Sequence, residues 1–313
     1  MPNNPTKLFR MNRTLLPTII SLCILNSCNS PEMKVDLIVT NAMVYTVDDS
    51  FSTAESFAVK DGKFIAVGSN DDIAAKYVSD QVWDCKGKVV YPGFNDAHCH
   101  FYGYGMNLMQ YADLAGMTNQ ESVYQKLQEH QSRAKGEWIL GRGWDQNLWS
   151  EKSFPDNERL NELFPDVPVY LVRVDGHAAW CNAKALELAG ITAKTAIAGG
   201  EVLLKDGQPT GVLIDNAKEL VYNLVPAPSV VLKAKALLEA QKNCFAVGLT
   251  SVTDCGISKE VILLIDSLQK NGELGMRINA MMEPSNENLE YFLKTGPYIT
   301  DRLQVRTIKL YAD

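Results

Sequence analysis

Between residues 35 and 90 the apolar positions come in short runs broken by turn residues. Val35 to Val39, Ala42 to Val47, Ser56 to Lys60 and Phe64 to Gly68 are β-rich, and Asp48-Asp49, Asp61-Gly62 and Gly87 separate them. That pattern predicts a small antiparallel sheet. Asp71 to Tyr77 predicts a short helix. From residue 88 the period changes. Val89-Val90-Tyr91 reads as a buried strand leading into Pro92-Gly93. Helical spacing covers Ser122–Lys135, Val231–Ala246, Lys259–Lys270 and Asn286–Lys294, and strand-like runs cover Trp138–Gly141, Thr250–Thr253, Arg277–Met282 and Val305–Tyr311. Alternating strand and helix predicts a parallel sheet covered by helices. With a small β domain ahead of it, a (β/α)8 barrel leads over an open α/β sheet.

One stretch breaks the alternation. Residues 145–228 hold an apolar run at Val169–Val174, a helical segment near Ala183–Leu188 and a hairpin-like pair, Gly200–Leu204 and Thr210–Leu213, around Asp206-Gly207. They read as a subdomain inserted between barrel elements. A full barrel takes roughly 250 residues, so residues 91–313 are expected to hold only part of one. The expected domains are a β domain at 34–90 and a partial barrel at 91–313 interrupted at about 145–228.

The N-terminus reads as a targeting segment. Lys7, Arg10 and Arg13 precede an apolar run from Leu15 to Leu25, followed by Asn26, Ser27 and Cys28. Basic start, apolar run and small residues make a secretory signal, and the run is too short to span a bilayer. Leu25-Asn26-Ser27-Cys28 resembles a bacterial lipobox. Residues 1–27 are then the signal peptide and Cys28 carries the lipid. The protein is expected to be exported to the bacterial cell envelope, touching the membrane only through that anchor. A plain signal peptide cut elsewhere is the alternative, and Met11 competes with Met1 as the start.

Composition removes several function classes. The 313 residues are 46% hydrophobic and 21% charged, which is ordinary for a globular chain. The net charge of -7 comes with no basic run, which argues against nucleic-acid binding. Beyond the N-terminal run no stretch is long and apolar enough for a polytopic membrane protein. Cys85, Cys99, Cys181, Cys244 and Cys255 are scattered and odd in number, so they read as small core residues and not as a disulfide framework.

The strongest chemical signal is Pro92-Gly93-Phe94-Asn95-Asp96-Ala97-His98-Cys99-His100. Side chains at i and i+2 of a strand share a face, so His98 and His100 project together from a strand end. Two neutral imidazoles so placed suit a divalent metal such as zinc. Only four histidines occur in the chain and two are here. Cys99 faces away from them. His130, among Gln128, Glu129 and Gln131, reads as part of a solvated helix face, and Asp254, at a strand end, as structural.

These residues resemble the first-strand metal motif of the amidohydrolase superfamily, and further segments resemble its YtcJ-like branch. They are Gly141-Arg142-Gly143-Trp144-Asp145, Arg173-Val174-Asp175-Gly176-His177-Ala178 with Asn182 close behind, Pro209 to Leu213, Gly248 to Asp254, and Ile308-Lys309-Leu310-Tyr311-Ala312-Asp313. The resemblance runs from about Val35 to the last residue. It implies a urease-like composite β domain joined to a metal-dependent hydrolase barrel. It implies hydrolysis of a non-peptide carbon–nitrogen bond in a small amide-type substrate, by water acidified on one or two divalent ions.

In the family, the lysine matching Lys309 is carboxylated and bridges two metals. The strand series above puts Lys309 on a fifth strand where the family has a fourth, and an ordinary strand lysine is the alternative. The resemblance also places His177 in the substrate pocket, with Trp144, Asp145 and Trp149 as candidate walls. A structural histidine and an aromatic cluster fixing the insertion remain open. Two further histidines and the general-base Asp are expected beyond residue 313. A non-catalytic ligand-binding lipoprotein, or a fragment of the same fold without turnover, is the competing reading. Homo-oligomerisation is left open.

Overall fold

A computed structural model describes residues 33–133 and 137–310. The leader over residues 1–27, Cys28 and the closing Tyr311-Ala312-Asp313 lie outside the described residues. The chain divides after Pro92 into two compact units. Among the described residues no helix is long and apolar enough to cross a membrane.

The first unit contains β1 (Met33–Lys34), β2 (Leu37–Thr40), β3 (Met43–Tyr45), β4 (Thr53–Ala54), β5 (Ser56–Lys60), β6 (Lys63–Gly68), α1 (Asn70–Ala74), β7 (Tyr77–Val78), β8 (Val82–Asp84) and β9 (Val89–Val90). The hairpin pairs β2–β5, β5–β6 and β3–β4 are antiparallel. However, β7, β8 and β9 return to pair in parallel with β1, β2 and β3. The sheets are therefore mixed where an antiparallel one was expected. Turn residues announce hairpins, and a distant returning segment leaves no such mark. Val89–Tyr91 is not a buried entry strand either: β9 belongs to this unit and Val89 is exposed. Alternate residues of β2 feed two small cores, Ile38 with Val35, Ala58 and Ile73, and Val39 with Val44 and Phe57.

The second unit begins with β10 (Phe94–Cys99), α2 (Phe101–Gln110), β11 (Tyr111–Asp113), α3 (Gln120–Arg133), β12 (Ile139–Trp144), a 3-10 turn (Gln146–Leu148) and α4 (Glu158–Leu163). It continues with β13 (Val169–Arg173), β14 (Ala178–Cys181), α5 (Ala183–Leu188), β15 (Gly200–Lys205), β16 (Gln208–Asp215) and α6 (Asn216–Tyr222). Last come α7 (Val230–Ala246), β17 (Leu249–Ile257), α8 (Lys259–Lys270), β18 (Arg277–Met282), α9 (Asn286–Thr295), β19 (Tyr298–Ile299) and β20 (Leu303–Ile308).

One sheet runs β10-β17-β18-β20-β19. Its first four strands are parallel and lie side by side in ascending chain order. These four strands show no reversal point, as a β/α barrel requires. Val252, Ile278, Ala280, Leu303 and Val305 bury against Leu237 of α7, Ile262 and Ile265 of α8 and Phe292 of α9. Ser229, Ser258 and Ser285 each cap the following helix by accepting an N–H of its first turn. Buried Asn288 ties the strand ends: its amide donates to the carbonyls of Ile257 and Glu283, and its oxygen accepts the Lys259 N–H.

The second sheet runs β11-β12-β13-β14-β16-β15. Both faces are covered. Ile139, Val169, Leu171, Ala178, Trp180 and Val212 face one core, and Leu140, Tyr170, Val172, Ala179, Cys181 and Leu213 face the other. This corrects three expectations. The sheet opens at Tyr111, ahead of residue 145, because a three-residue strand directly after a helix carries no period of its own. The helix expected over Ser122–Lys135 packs here as α3, through Val123, Tyr124 and Leu127. The strand expected at Trp138–Gly141 is β12 of this sheet and leaves the parallel series.

Candidate metal and substrate site

The parallel series then counts β10, β17, β18 and β20, and Lys309 follows the fourth strand directly. The Lys309 N–H donates to the Met282 carbonyl at 2.8 Å, so the ladder runs one residue past Ile308. Its Cβ and Cγ lie over Gly256, 3.7–3.8 Å from where that residue's Cβ would be.

His98 is in β10, and His100 is the N-cap residue immediately before α2. The strand therefore ends at Cys99, one residue short of the expected pair of strand positions. Their ring centroids are still 6.2 Å apart, with planes at 84°. The His98 N–H donates to Asp96 Oδ1 at 3.0 Å, and the His100 carbonyl accepts the Tyr104 N–H at 2.7 Å. The His100 side chain takes no part in capping, which leaves its ring nitrogens available. Partial burial depresses the His100 pKa, and the charges of His98, Lys309 and Arg142 push it the same way. That favours the neutral, metal-ligating imidazole. Cys99 is a poor ligand, because burial lifts its thiol to about 12.

Two features position α2, and with it His100. The Tyr102 N–H is one of the helix-start donors without an intrahelical partner, and it donates to Asp254 Oδ2 on β17 at 2.8 Å. Asp254 is buried, its other oxygen has no partner among the described residues, and burial raises its pKa to about 6. Further along, Gly105 lets α2 approach α7. A Cβ there would sit 2.2 Å from the Ala236 carbonyl oxygen.

The expected pocket residues divide. His177 is exposed, 72% by its side chain, with Nδ1 against Asp215 Oδ1. Its N–H donates to Asp175 Oδ1 at 3.0 Å. Arg173 clamps Asp175 and holds that carboxyl at about 2. Trp144 does not wall a pocket: it is 0% exposed, donates its indole N–H to the Leu171 carbonyl and packs against Trp149 and Trp180. Asp145 caps the 3-10 turn through the Asn147 N–H. His130 is half-buried, not solvated, with Nε2 3.1 Å from the Gln110 carbonyl. That contact requires the proton on Nε2.

Arg142 and Trp144 diverge because the β12–β13 register slips between them, where Gly143 has φ +105°. The bulge sends Arg142 to one face and Trp144 to the other. Sequence alternation alone would have put both on one face.

The profile of the amidohydrolase family matches residues 81–313. The chain belongs to that family. YtcJ of Bacillus subtilis (strain 168) is 35% identical over 212 residues, covering 66% of this chain and 40% of YtcJ. N-substituted formamide deformylase of Arthrobacter pascens is 30% identical over 237 residues, covering 71% and 43%. These likenesses place the chain in the YtcJ-like branch. The chain spans about two fifths of the length of the curated relatives it matches. An uncharacterized metal-dependent hydrolase from Pyrococcus horikoshii OT3 superposes with a TM-score of 0.66 at 24% identity, over 87% of this chain and 53% of that one. The fold is thus the α/β fold of that hydrolase.

The family implies a metal, and the residues present fit part of such a site. Among the described residues no group of three or more His, Cys, Asp or Glu is placed to hold an ion. Two imidazoles close enough to reach one ion are placed, together with a lysine whose charge is felt at His100.

Proposed function

We propose that this chain carries the first part of the active site of a metal-dependent hydrolase that cleaves a non-peptide carbon–nitrogen bond of an amide-type substrate. The observation that carries the reading is the His98–His100 pair at the junction of β10 and α2, in a member of the amidohydrolase family. A bound divalent ion, for which zinc best suits the two imidazoles, supplies Lewis acidity toward a carbonyl and acidifies water. His98 and His100 would hold it. Lys309, as its carbamate, would add an oxygen donor, since a lysine ammonium repels a cation. His177, oriented by Asp215, would present Nε2 to the substrate as a hydrogen-bond partner.

The same reading takes the unit ahead of Gly93 as the composite β domain. It takes residues 1–27 as a lipoprotein signal, and places the protein at the bacterial cell envelope by a lipid on Cys28. The basis is the Leu25-Asn26-Ser27-Cys28 sequence behind a basic, apolar leader.

The test is the metal content of the purified chain after dialysis against zinc, compared with the double variant His98→Ala/His100→Ala. Zinc retained by the wild type and absent from the variant is the expected result. Stoichiometric zinc in the double variant would sink the site assignment.

A further inference from the structure

Arg142 stands out in β12. The other five residues of that strand are buried, and only Arg142 is exposed. It shares a face with Leu140, and with Tyr170 and Val172 of β13 opposite. Those three belong to an apolar core. A guanidinium on such a face is costly unless water or a charged partner meets it. The face opens here into a cleft of about 630 Å³ whose lining includes Tyr102, Tyr111, Tyr170, Tyr222, Lys218 and Lys233.

The charges in the cleft are unequal. Lys218 is paired with Glu219 at 2.6 Å, and Lys233 with Glu260. Arg142 has no ion pair among the described residues. The cleft wall therefore carries one positive charge without an ion pair, on a strand, and four tyrosines are among the other residues that line it. Glycines lie next to Arg142 in sequence and near its guanidinium in space. Gly143 packs its backbone against Ala115, where a Cβ would lie 2.9 Å from the Ala115 nitrogen, and a Cβ on Gly176 would reach 4.0 Å from the Arg142 Nη2. The cleft also borders the first turn of α2 through Tyr102 and Gly103, immediately after His100.

We infer that Arg142 is the anchor for a carboxylate on the substrate, and that the cleft takes an anionic N-acyl compound whose apolar body lies on the tyrosines. This rests on reading the chain as an amidohydrolase, and it narrows the substrate class from amides in general to amides bearing a carboxylate. Arg presents paired N–H donors that match a carboxylate in two-point geometry. Tyrosine faces add apolar contact at little entropic cost.

The probe is N-acetylphenylalanine, titrated calorimetrically into the metal-free chain beside its uncharged methyl ester. The wild type should bind the acid roughly tenfold or more tighter than the ester. Arg142→Gln should erase that preference, and Arg142→Lys should restore only part of it. An unchanged preference in Arg142→Gln overturns the inference, as does equal binding of acid and ester by the wild type, or no binding of the acid at millimolar concentration. Should Arg142→Gln fail to fold, the acid–ester comparison in the wild type decides alone. Turnover of neutral amides by zinc-loaded protein is measured separately. Turnover without an Arg142-dependent acid preference defeats the anchor and leaves the hydrolase reading. The preference without turnover of any amide does the reverse.

Discussion

His177 Nδ1 lies 2.8 Å from Asp215 Oδ1, and the two main chains are joined as well, by the Asp215 N–H donating to the His177 carbonyl at 2.8 Å. The ring of an exposed histidine is thus held by a residue 38 positions away. The hold is bought with backbone strain: Asp215 has φ 46° and ψ −122°, a region that suits glycine.

That strain reverses an ordinary ranking. In most positions alanine is more stable than glycine by about 0.5–1 kcal/mol. At 215 glycine relieves the strain and alanine does not, while both lose the carboxylate. Asp215→Gly should therefore be more stable than Asp215→Ala by about 1–2 kcal/mol in urea unfolding. Alanine coming out ahead would mean that residue 215 is not strained in solution.

Asp254 predicts a pH dependence. Burial lifts its carboxyl to about 6 from 3.8, so the folded chain binds this proton more tightly than the unfolded chain. Stability from this group is complete below the unfolded value and is lost as the pH rises through about 6. Asp254→Asn keeps an acceptor for the Tyr102 N–H and cannot ionise. At pH 8 it should exceed the wild type by up to about 3 kcal/mol, with the gap closing toward pH 4. Parallel stability–pH curves for the two proteins would count against a buried carboxylate there.

The histidine pair was legible because Pro92-Gly93 and the His-x-His spacing are local. Its exact backbone was not, because the end of β10 is set by α2 starting at Phe101. The strand count failed at Trp138–Gly141 because strands buried on both faces, such as Val169–Arg173 and Ala178–Cys181, read as continuous apolar runs with no period to assign them to a sheet. Trp144 was misplaced for a different reason. The bulge at Gly143 inverts the face of Trp144, and a glycine between an arginine and a tryptophan does not say whether it bends the strand.

Gly105 predicts a steric limit. The backbone of α7 is what a Cβ would strike, at 2.2 Å from the Ala236 carbonyl oxygen and 2.6 Å from its carbon. No side-chain rotation relieves that contact. Gly105→Ala should destabilise the chain by about 1–3 kcal/mol despite alanine's better helix propensity. It should also loosen zinc binding, since α2 carries His100 at its start. A more stable Gly105→Ala would show that α2 and α7 do not approach this closely.

Lys309 and His100 make the sharpest electrostatic test. In the metal-free chain three positive or protonatable groups, His98, Lys309 and Arg142, add to partial burial in depressing the His100 pKa. An ammonium at Lys309 lowers it, whereas a carbamate at the same position is negative and must raise it. The His100 imidazole, followed by NMR in the metal-free chain, should therefore titrate at a higher pH when bicarbonate is added. In Lys309→Ala the depression from Lys309 is gone, so His100 should titrate above the untreated wild type, and bicarbonate should no longer move it. A bicarbonate response that survives Lys309→Ala would place the reacting group elsewhere. No response in the wild type would leave Lys309 an ammonium, and with it unable to serve as an oxygen donor to an ion beside His100.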